Sequence, residues 1–539
     1  MKIQRHRPDN SDRSSRGQHQ PSRFNLAAVA LGVSLLLLLG SGWLKSGGLK
    51  LAISGIAAVL LAGALVKIFR DLNFSSPRLL NGSPRQLAWI RILVCLTAFV
   101  FTVIEDLPSF SSLPAAMQNR HQLFHLLTIL PGPSTLLSTP YLLGALQWTT
   151  ATLLFLGLIG FQTRTTLFLG GLGFFLIQAI LRNYSYLFHA GLVPLYLLLV
   201  ISWTPCAATW SVDRWLNRRK PQPSARLIGF SVYACYAVMA VIYFVSGLSK
   251  LRESGLDWFR GENIEQKLVM DALEPIFLDY KWKASLWLVQ HHAPDYIFAI
   301  IGAIGLIVEL GYISVLFSRT ARIIMPAAAF GVHLGILLFQ HILFLDLLVL
   351  QFIFLEVDRI LIFLQRHFWP ECRIRDVAVS DVQSGPALSY LSRSALASII
   401  AVFLVAWVWH IEFYPLSSWR MYANPERKGP AFYLKMAATL ENGSSIKIPI
   451  HDCSPAKMPN VRFFLINAFR VSGRSKIIDQ FLASYVQRRN QTLAFGSPIS
   501  SLEIQLWRWN YVAEPNDPRF GWITDVYPFD ATAHSSPSR

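Results

Sequence analysis

The residues able to do chemistry in this chain stand where apolar runs end. One run closes with Tyr243-Phe244-Val245-Ser246-Gly247-Leu248-Ser249-Lys250-Leu251, and Trp258 and Gly261 follow. A lysine at such a boundary has two readings. It can snorkel, burying its stem while the ammonium stays among the headgroups. Alternatively, an amine partly desolvated by lipid and aromatic neighbours favours its neutral form and can accept a proton. A second cluster is Asn183-Tyr184-Ser185-Tyr186-Leu187, with His189 close behind. By composition it is an interfacial aromatic loop. A third, Trp210-Ser211-Val212-Asp213-Arg214-Trp215, reads as an interface marker. Glu309, His333, His341 and Asp346 fall in or beside apolar runs. Ionisable groups are costly there and point to a polar cavity or to inter-helix hydrogen bonds. No Walker loop, HExxH, GxSxG or CxxC occurs, so nucleotide, zinc-protease and serine-hydrolase chemistry has no motif support.

A membrane must position these residues. Of the 539 residues 53% are hydrophobic and only 15% charged, against about 25% charged in soluble proteins. The apolar excess is gathered into runs long enough to span a bilayer. Runs at 25–44, 49–66, 87–104, 144–161, 165–181, 190–203, 227–248, 296–317, 323–340, 341–364 and 394–411 predict about eleven spans. The net charge of +18 sits in short loops between these runs, which the positive-inside rule explains without a nucleic-acid partner. The basic loops after the second, sixth and tenth runs share a side with the basic tail, so the N-terminus is expected in the cytoplasm and the C-terminus outside. Asn183 and Lys250 then share the outer side. The tail precedes an apolar run with no convincing cleavage site, which reads as an uncleaved first span. None of the five cysteines is spaced as a metal pair.

The expected fold is an all-α polytopic membrane protein with a small α+β C-terminal soluble domain. Its parts are a basic tail at 1–24, a transmembrane hairpin at 25–70 and a multi-helix membrane domain at 85–412. Within that domain an outer amphipathic segment at 249–295 lies at the membrane surface, marked by interfacial tryptophans. An outer α+β domain at 413–530 and a disordered tail at 531–539 follow. In the C-terminal domain, 431–440 and 445–450 flank Asn442-Gly443, a hairpin signature. Residues 475–489 predict an amphipathic helix, and the alternation over 502–512 predicts a strand.

Taken together, these residues resemble the horizontally transferred transmembrane domain family, whose best-known members are the vitamin K-dependent γ-glutamyl carboxylases. The likeness is carried by the lysine segment with Gly247, Lys250-Leu251, Trp258 and Gly261. It is carried too by Asn183-x-Ser185-Tyr186-Leu187 followed by Trp210-Ser211-Val212-Asp213, and by Gly331-Val332-His333-Leu334-Gly335. Tyr414-Pro415-Leu416-Ser417-Ser418-Trp419-Arg420-Met421-Tyr422 is similar to a segment that follows the last helix in bacterial members. The resemblance covers about 85–425; the first hairpin looks like an addition.

It implies an enzyme, carboxylase-like (a lyase) or an oxidoreductase, using a reduced, vitamin K-like quinone or another lipid-soluble cofactor. Lys250 would be its base. Asn183, Tyr184, Tyr186, His189, Trp258 and His333 would surround the cofactor or substrate. The carboxylases carry histidine where this chain has Tyr184, a departure that bears on γ-carboxylation itself, and His189 is the nearby imidazole. The expected partners are the lipid bilayer and a protein or peptide substrate at the outer face. The expected setting is a bacterial inner membrane. Two other readings stay open: a non-enzymatic membrane protein that binds a partner through its outer domain, and a transporter with Glu309, His333 and Asp346 along a polar path.

Overall fold

Serine and proline set where the helices begin. Ser83 Oγ accepts the amide of Gln86 at 3.0 Å and Pro84 fills the first turn, where a missing N–H costs nothing. From there α1 runs over Pro84–Val103. This computed structural model describes residues 82–114, 117–118, 131–184, 189–219, 221–275, 282–368, 390–453, 461–466, 469, 475–492 and 494–531, with single positions at 56, 59, 60 and 63. The expected tails at 1–24 and 531–539 (all but Ala531) and most of the hairpin at 25–70 lie outside the described residues.

α2 spans Pro140–Ile159 and ends on Gly160, whose left-handed φ of 74° suits glycine. α3 (Thr163–Asn183) has no cap of its own. Asp213 supplies one from a distance: its carboxylate accepts the amides of Gln162 at 2.8 Å and Thr163 at 2.7 Å, and the Thr163 hydroxyl at 2.6 Å. The Trp210–Trp215 cluster therefore has a structural role. Next come α4 (Leu192–Ser202), α5 (Ala225–Ser254), α6 (Gly261–Leu273), α7 (Asp295–Gly311) and α8 (Ala321–Gln340). They are followed by α9 (Leu345–Leu350), α10 (Val357–Phe368) and α11 (Tyr390–Val408).

α5 is the axis of the molecule. Every residue from Ile228 to Arg252 is buried. At 1.5 Å per residue its 30 residues extend about 45 Å, more than the roughly 30 Å of a hydrocarbon core. It is therefore long enough to carry Lys250 to headgroup level. Packing it on all sides explains why its apolar residues show no one-sided pattern.

Among the described residues, six helices are long and apolar enough to cross a bilayer: Pro84–Ser112, Pro140–Ile159, Thr163–Asn183, Ala225–Phe259, Asp295–Leu316 and Ala321–Gln340. The protein is a multi-pass membrane protein. The expected spans at 190–203, 341–364 and 394–411 are shorter apolar helices here: Leu192–Ser202, Leu345–Phe354 and Leu396–Val408. The tenth is broken for visible reasons. His341 adopts a left-handed φ of 58°, and residues 341–344 are not helical. Asp346 and Gln351 are buried polar groups within the short piece. Beyond it, α10 is amphipathic, with Asp358, Arg359 and Arg366 in its sequence.

The segment at 249–295 is not a surface layer alone. α6 buries Ile264, Leu268 and Val269, but also Asn263, Glu265, Gln266 and Lys267. Its polar side is covered by the chain leading into the C-terminal sheet. Asn263 Oδ1 accepts the amide of Glu426 at 2.8 Å, and Gln266 Oε1 accepts the amide of Gly429 at 3.1 Å and the hydroxyl of Tyr511 at 2.7 Å.

That sheet has strands β1 (Ala431–Leu440), β2 (Ser445–Ile448), β3 (Ile499–Trp509) and β4 (Trp522–Asp530), in the order β2-β1-β3-β4, all antiparallel. The Asn442-Gly443 hairpin is present, with Gly443 at φ 80° and Thr439 opposite Ser445. α12 (Ser475–Thr492) lies where amphipathicity placed it. β4 was not expected. It is mostly exposed and holds Pro528, which an edge strand tolerates.

Candidate functional site

A cavity of about 440 Å³ opens between α5, α6, α7 and α8. Ile301, Ile304, Val308, Val332, Ile336 and Phe339 give it apolar walls, and Lys250, Glu309, His333, Lys267 and Gln340 bring polar groups to it.

Lys250 reaches it from the last full turns of α5. Its Nζ donates to Glu309 Oε1 at 2.8 Å and to Ser246 Oγ at 3.2 Å, one helical turn back. The Lys250 and Glu309 side chains are 8% and 18% exposed, so water screens the pair little. The second Glu309 oxygen, Oε2, has no hydrogen-bond partner among the described residues. Nζ also lies 5.4 Å from the centroid of Trp258, a cation–π distance. Trp258 is fixed by its own bond from Nε1 to the carbonyl of Gly302 at 3.1 Å.

Two helices must approach closely for this pair to form, and a glycine allows it. A Cβ at Gly247 would stand 2.9 Å from Leu310 Cδ2 and 3.2 Å from Glu309 Cβ. Any larger residue would push α7 off α5 and carry Glu309 away from Lys250.

Lys267 Nζ also lies near this tryptophan, 5.8 Å from the same ring centroid. It donates to Asn263 Oδ1 at 2.5 Å and to the carbonyl of Asn424 at 2.7 Å. Burial pushes its ammonium down to about 8, only partly offset by Glu426 and Asp271. Lys267 is thus a second amine at the cavity and easier to neutralise than an exposed lysine.

His333 reaches the cavity from α8. Its Nε2 is 2.6 Å from the hydroxyl of Tyr243, which also accepts from Gln351 Nε2 at 2.7 Å. Gln351 Oε1 accepts the hydroxyl of Tyr312 at 2.5 Å, and Tyr312 stacks on Tyr243 with centroids 4.2 Å apart.

The structure thus brings Lys250, Trp258 and His333 to one cavity. Asn183, Tyr184 and His189 are not among the residues lining it, and Tyr186 lies outside the described residues. Asn183 is fully buried and its side-chain amide has no partner among the described residues. Tyr184 faces Phe110 edge-on at 5.5 Å and accepts from Gln118 at 3.2 Å. His189 Nε2 is 2.8 Å from Ser417 Oγ, and its ring lies 5.0 Å from Trp419. Burial first, then the charges of Arg182 and Lys250, push His189 down to about 3, so it stays neutral.

The Tyr414–Tyr422 motif runs between the two groups. Tyr414 donates to the carbonyl of Phe175 at 2.8 Å, and Tyr196 donates to the carbonyl of Pro415. Ser249, beside Lys250, donates to the carbonyl of Ser418 at 2.8 Å. Met421 and Tyr422 then line the cavity. The segment recognised in the sequence is therefore the strap that ties α3, α4 and α5 together and completes one wall.

Of the polar path suggested for transport, Glu309 and His333 meet at the cavity, but Asp346 does not line it. Asp346 accepts the amides of Gly191 at 2.9 Å and Leu347 at 3.0 Å, a capping role. Sequence reasoning missed Lys267, Gln351 and the pairing of Glu309 with Lys250. The pairing had a signal: two opposite charges in neighbouring apolar runs are cheaper together than apart.

Fold and site define a multi-pass helical membrane protein with an ion pair set into a mainly apolar cavity. Residues 82–365, more than half of the chain, match the family model of the HTTM domain. The chain belongs to the HTTM domain family, and the likeness to γ-glutamyl carboxylases is consistent with that membership. No curated protein and no solved structure gives a significant match.

Proposed function

We propose that this chain is a membrane enzyme that binds a lipid-soluble ring compound, a reduced quinone in the first instance, in the cavity beside Lys250. The observation that carries the reading is the Lys250–Glu309 pair at the wall of an otherwise apolar cavity of about 440 Å³, a size that suits a small-molecule ligand. The residues present fit such a ring. Trp258, Phe339 and Phe344 give flat apolar surfaces. Glu309 Oε2 and His333 Nδ1, each without a partner among the described residues, leave an acceptor and a nitrogen for ring oxygens.

A bound hydroquinone supplies an ionisable hydroxyl and two reducing equivalents. Lys250 and Glu309 hold and move the proton. Its passage from Nζ to Oε1 across 2.8 Å leaves a neutral amine beside a neutral acid, and that amine is a base. Trp258 covers Nζ on one side, and the apolar walls keep water from competing for the proton. Carboxylase-like and oxidoreductase chemistry both begin with this step. On this reading the site faces the outer side of a bacterial inner membrane, the N-terminus is cytoplasmic and the C-terminal domain is outside. The basic loops support that orientation.

The experiment is lipid extraction from purified protein followed by mass spectrometry. A co-purifying quinone, lost from a folded Trp258→Ala variant, supports the reading. Wild-type protein that carries none and binds none when it is added would end it.

A second reading has one observation in its favour. β4 is an edge strand that exposes Trp522, Ile523 and Val526, a surface that could dock a protein partner. Deleting the domain would not separate the two readings, because Asn424, Glu426 and Gly429 hold α6 against the cavity. Trp522→Ser with Ile523→Ser does separate them: it should abolish a partner function and leave quinone content unchanged.

A further inference from the structure

The hydrogen bonds behind His333 can be followed donor by donor. Gln351 Nε2 donates to the carbonyl of Leu347 at 2.8 Å. A carbonyl only accepts, so this bond fixes which end of the Gln351 amide is nitrogen. The second N–H of the same nitrogen is then committed to Tyr243 Oη at 2.7 Å. The amide oxygen is taken by the hydroxyl of Tyr312 at 2.5 Å. Tyr243 Oη therefore already accepts, and its hydrogen has one acceptor in reach, His333 Nε2 at 2.6 Å. If Nε2 carried the proton instead, the buried Tyr243 O–H would be left without a partner, which is the costlier arrangement. Gln351, Tyr243, Tyr312 and His333 are all buried, so water offers no alternative.

We infer that Gln351, acting through Tyr243, is a positioning residue that locks His333 in the neutral Nδ1–H tautomer, making it a fixed hydrogen-bond donor for a ligand oxygen. His333 lines the cavity, and Nδ1 meets no partner among the described residues. On this assignment His333 is neither a base nor a proton carrier, because its one basic nitrogen is occupied by Tyr243. The cavity then contributes a donor at His333 and an acceptor at Glu309. That pattern selects a ligand with an acceptor oxygen, carbonyl or hydroxyl. The ligand part rests on the reading of the cavity given above; the tautomer does not.

The test uses the full chain in nanodiscs with isotope-labelled histidine. The His333 signals are identified by subtracting the spectrum of a His333→Asn variant. Ring carbon and nitrogen shifts separate the two neutral tautomers from each other and from the cation. The wild type should show Nδ1–H, and Gln351→Leu should bring in Nε2–H without altering the other histidine signals. A wild-type His333 protonated at Nε2, or at both nitrogens, overturns the inference whether or not a ligand binds.

Binding of decylubiquinone, read by quenching of tryptophan fluorescence, tests the donor. An asparagine amide nitrogen overlays Nδ1, whereas a glutamine amide nitrogen overlays Nε2. His333→Asn should bind within about threefold of wild type, and His333→Gln should bind about tenfold more weakly, the worth of one hydrogen bond. Equal losses in both variants overturn the donor role. Wild-type protein that binds no quinone overturns the ligand reading and leaves the tautomer to the spectrum.

Discussion

Replacing Glu309 by glutamine removes the counter-charge of Lys250 while keeping the shape of the side chain. At 2.8 Å and an effective dielectric of 20, the gross attraction is about 6 kcal/mol. Desolvation of two largely buried ends consumes much of this, so the net worth of the pair is smaller. Breaking one partner is a different quantity, since it strands the other charge. Glu309→Gln and Lys250→Met should each lower stability, by about 3–5 kcal/mol for a fully buried pair and toward the low end here. Glu309 is 18% exposed, and Ser246 still bonds Nζ. The double variant has no stranded charge and should lose far less than the sum. The assay is a double-mutant cycle by SDS titration in mixed micelles, with helicity as readout. A coupling above about 2 kcal/mol is expected. Effects that add within about 0.5 kcal/mol would mean the two side chains do not interact, and the acid–base argument would fall with them.

Gly247→Ala places a methyl 2.9 Å from Leu310 and 3.2 Å from Glu309; it should cost about 1–3 kcal/mol and weaken the Lys250–Glu309 coupling in the same cycle. Asp213→Ala removes three bonds to Gln162 and Thr163 and should cost about 1–2 kcal/mol, seen as faster amide exchange at the start of α3. Lys267 gives a pH signature. With the folded ammonium at about 8 against an ordinary lysine value of 10.5, the unfolded chain binds the extra proton between these values. Stability therefore rises with pH across that window, relative to Lys267→Met, in melts at a series of pH values; a difference that falls with pH would contradict the burial of Lys267.

Local signals were legible in the sequence wherever neighbours along the chain decide the structure. Asn442-Gly443 fixed a hairpin because only a left-handed turn joins those strands. Six apolar runs became long helices because their length and hydropathy suffice alone. The run at 341–364 holds a shorter apolar helix, Leu345–Phe354, because a window average hides the left-handed turn at His341 and the buried polar Asp346 and Gln351. β4 escaped because its burial is set by one neighbouring strand, leaving no strong alternation. Within the site, Lys250, Trp258 and His333 were marked by motif spacing, and the structure gathers them. What joins them was marked only faintly, by opposite charges in successive apolar runs. Glu309 lies 59 residues from Lys250, and Gln351 lies 108 from Tyr243, so only packing brings each pair together. Lys267 counted in the sequence as one more loop charge, since nothing local says that α6 will be roofed by residues 424–429.

That roof has a bearing on biosynthesis. The helices around the cavity leave the ribosome and enter the bilayer well before the strands that hold α6 exist. Gln266 waits for Tyr511, and Glu274 waits for the amide of Leu434. A nascent chain that has passed Glu309 but not residue 424 therefore owns the ion pair but not its roof, and the bond from Tyr511 to Gln266 follows only after β3.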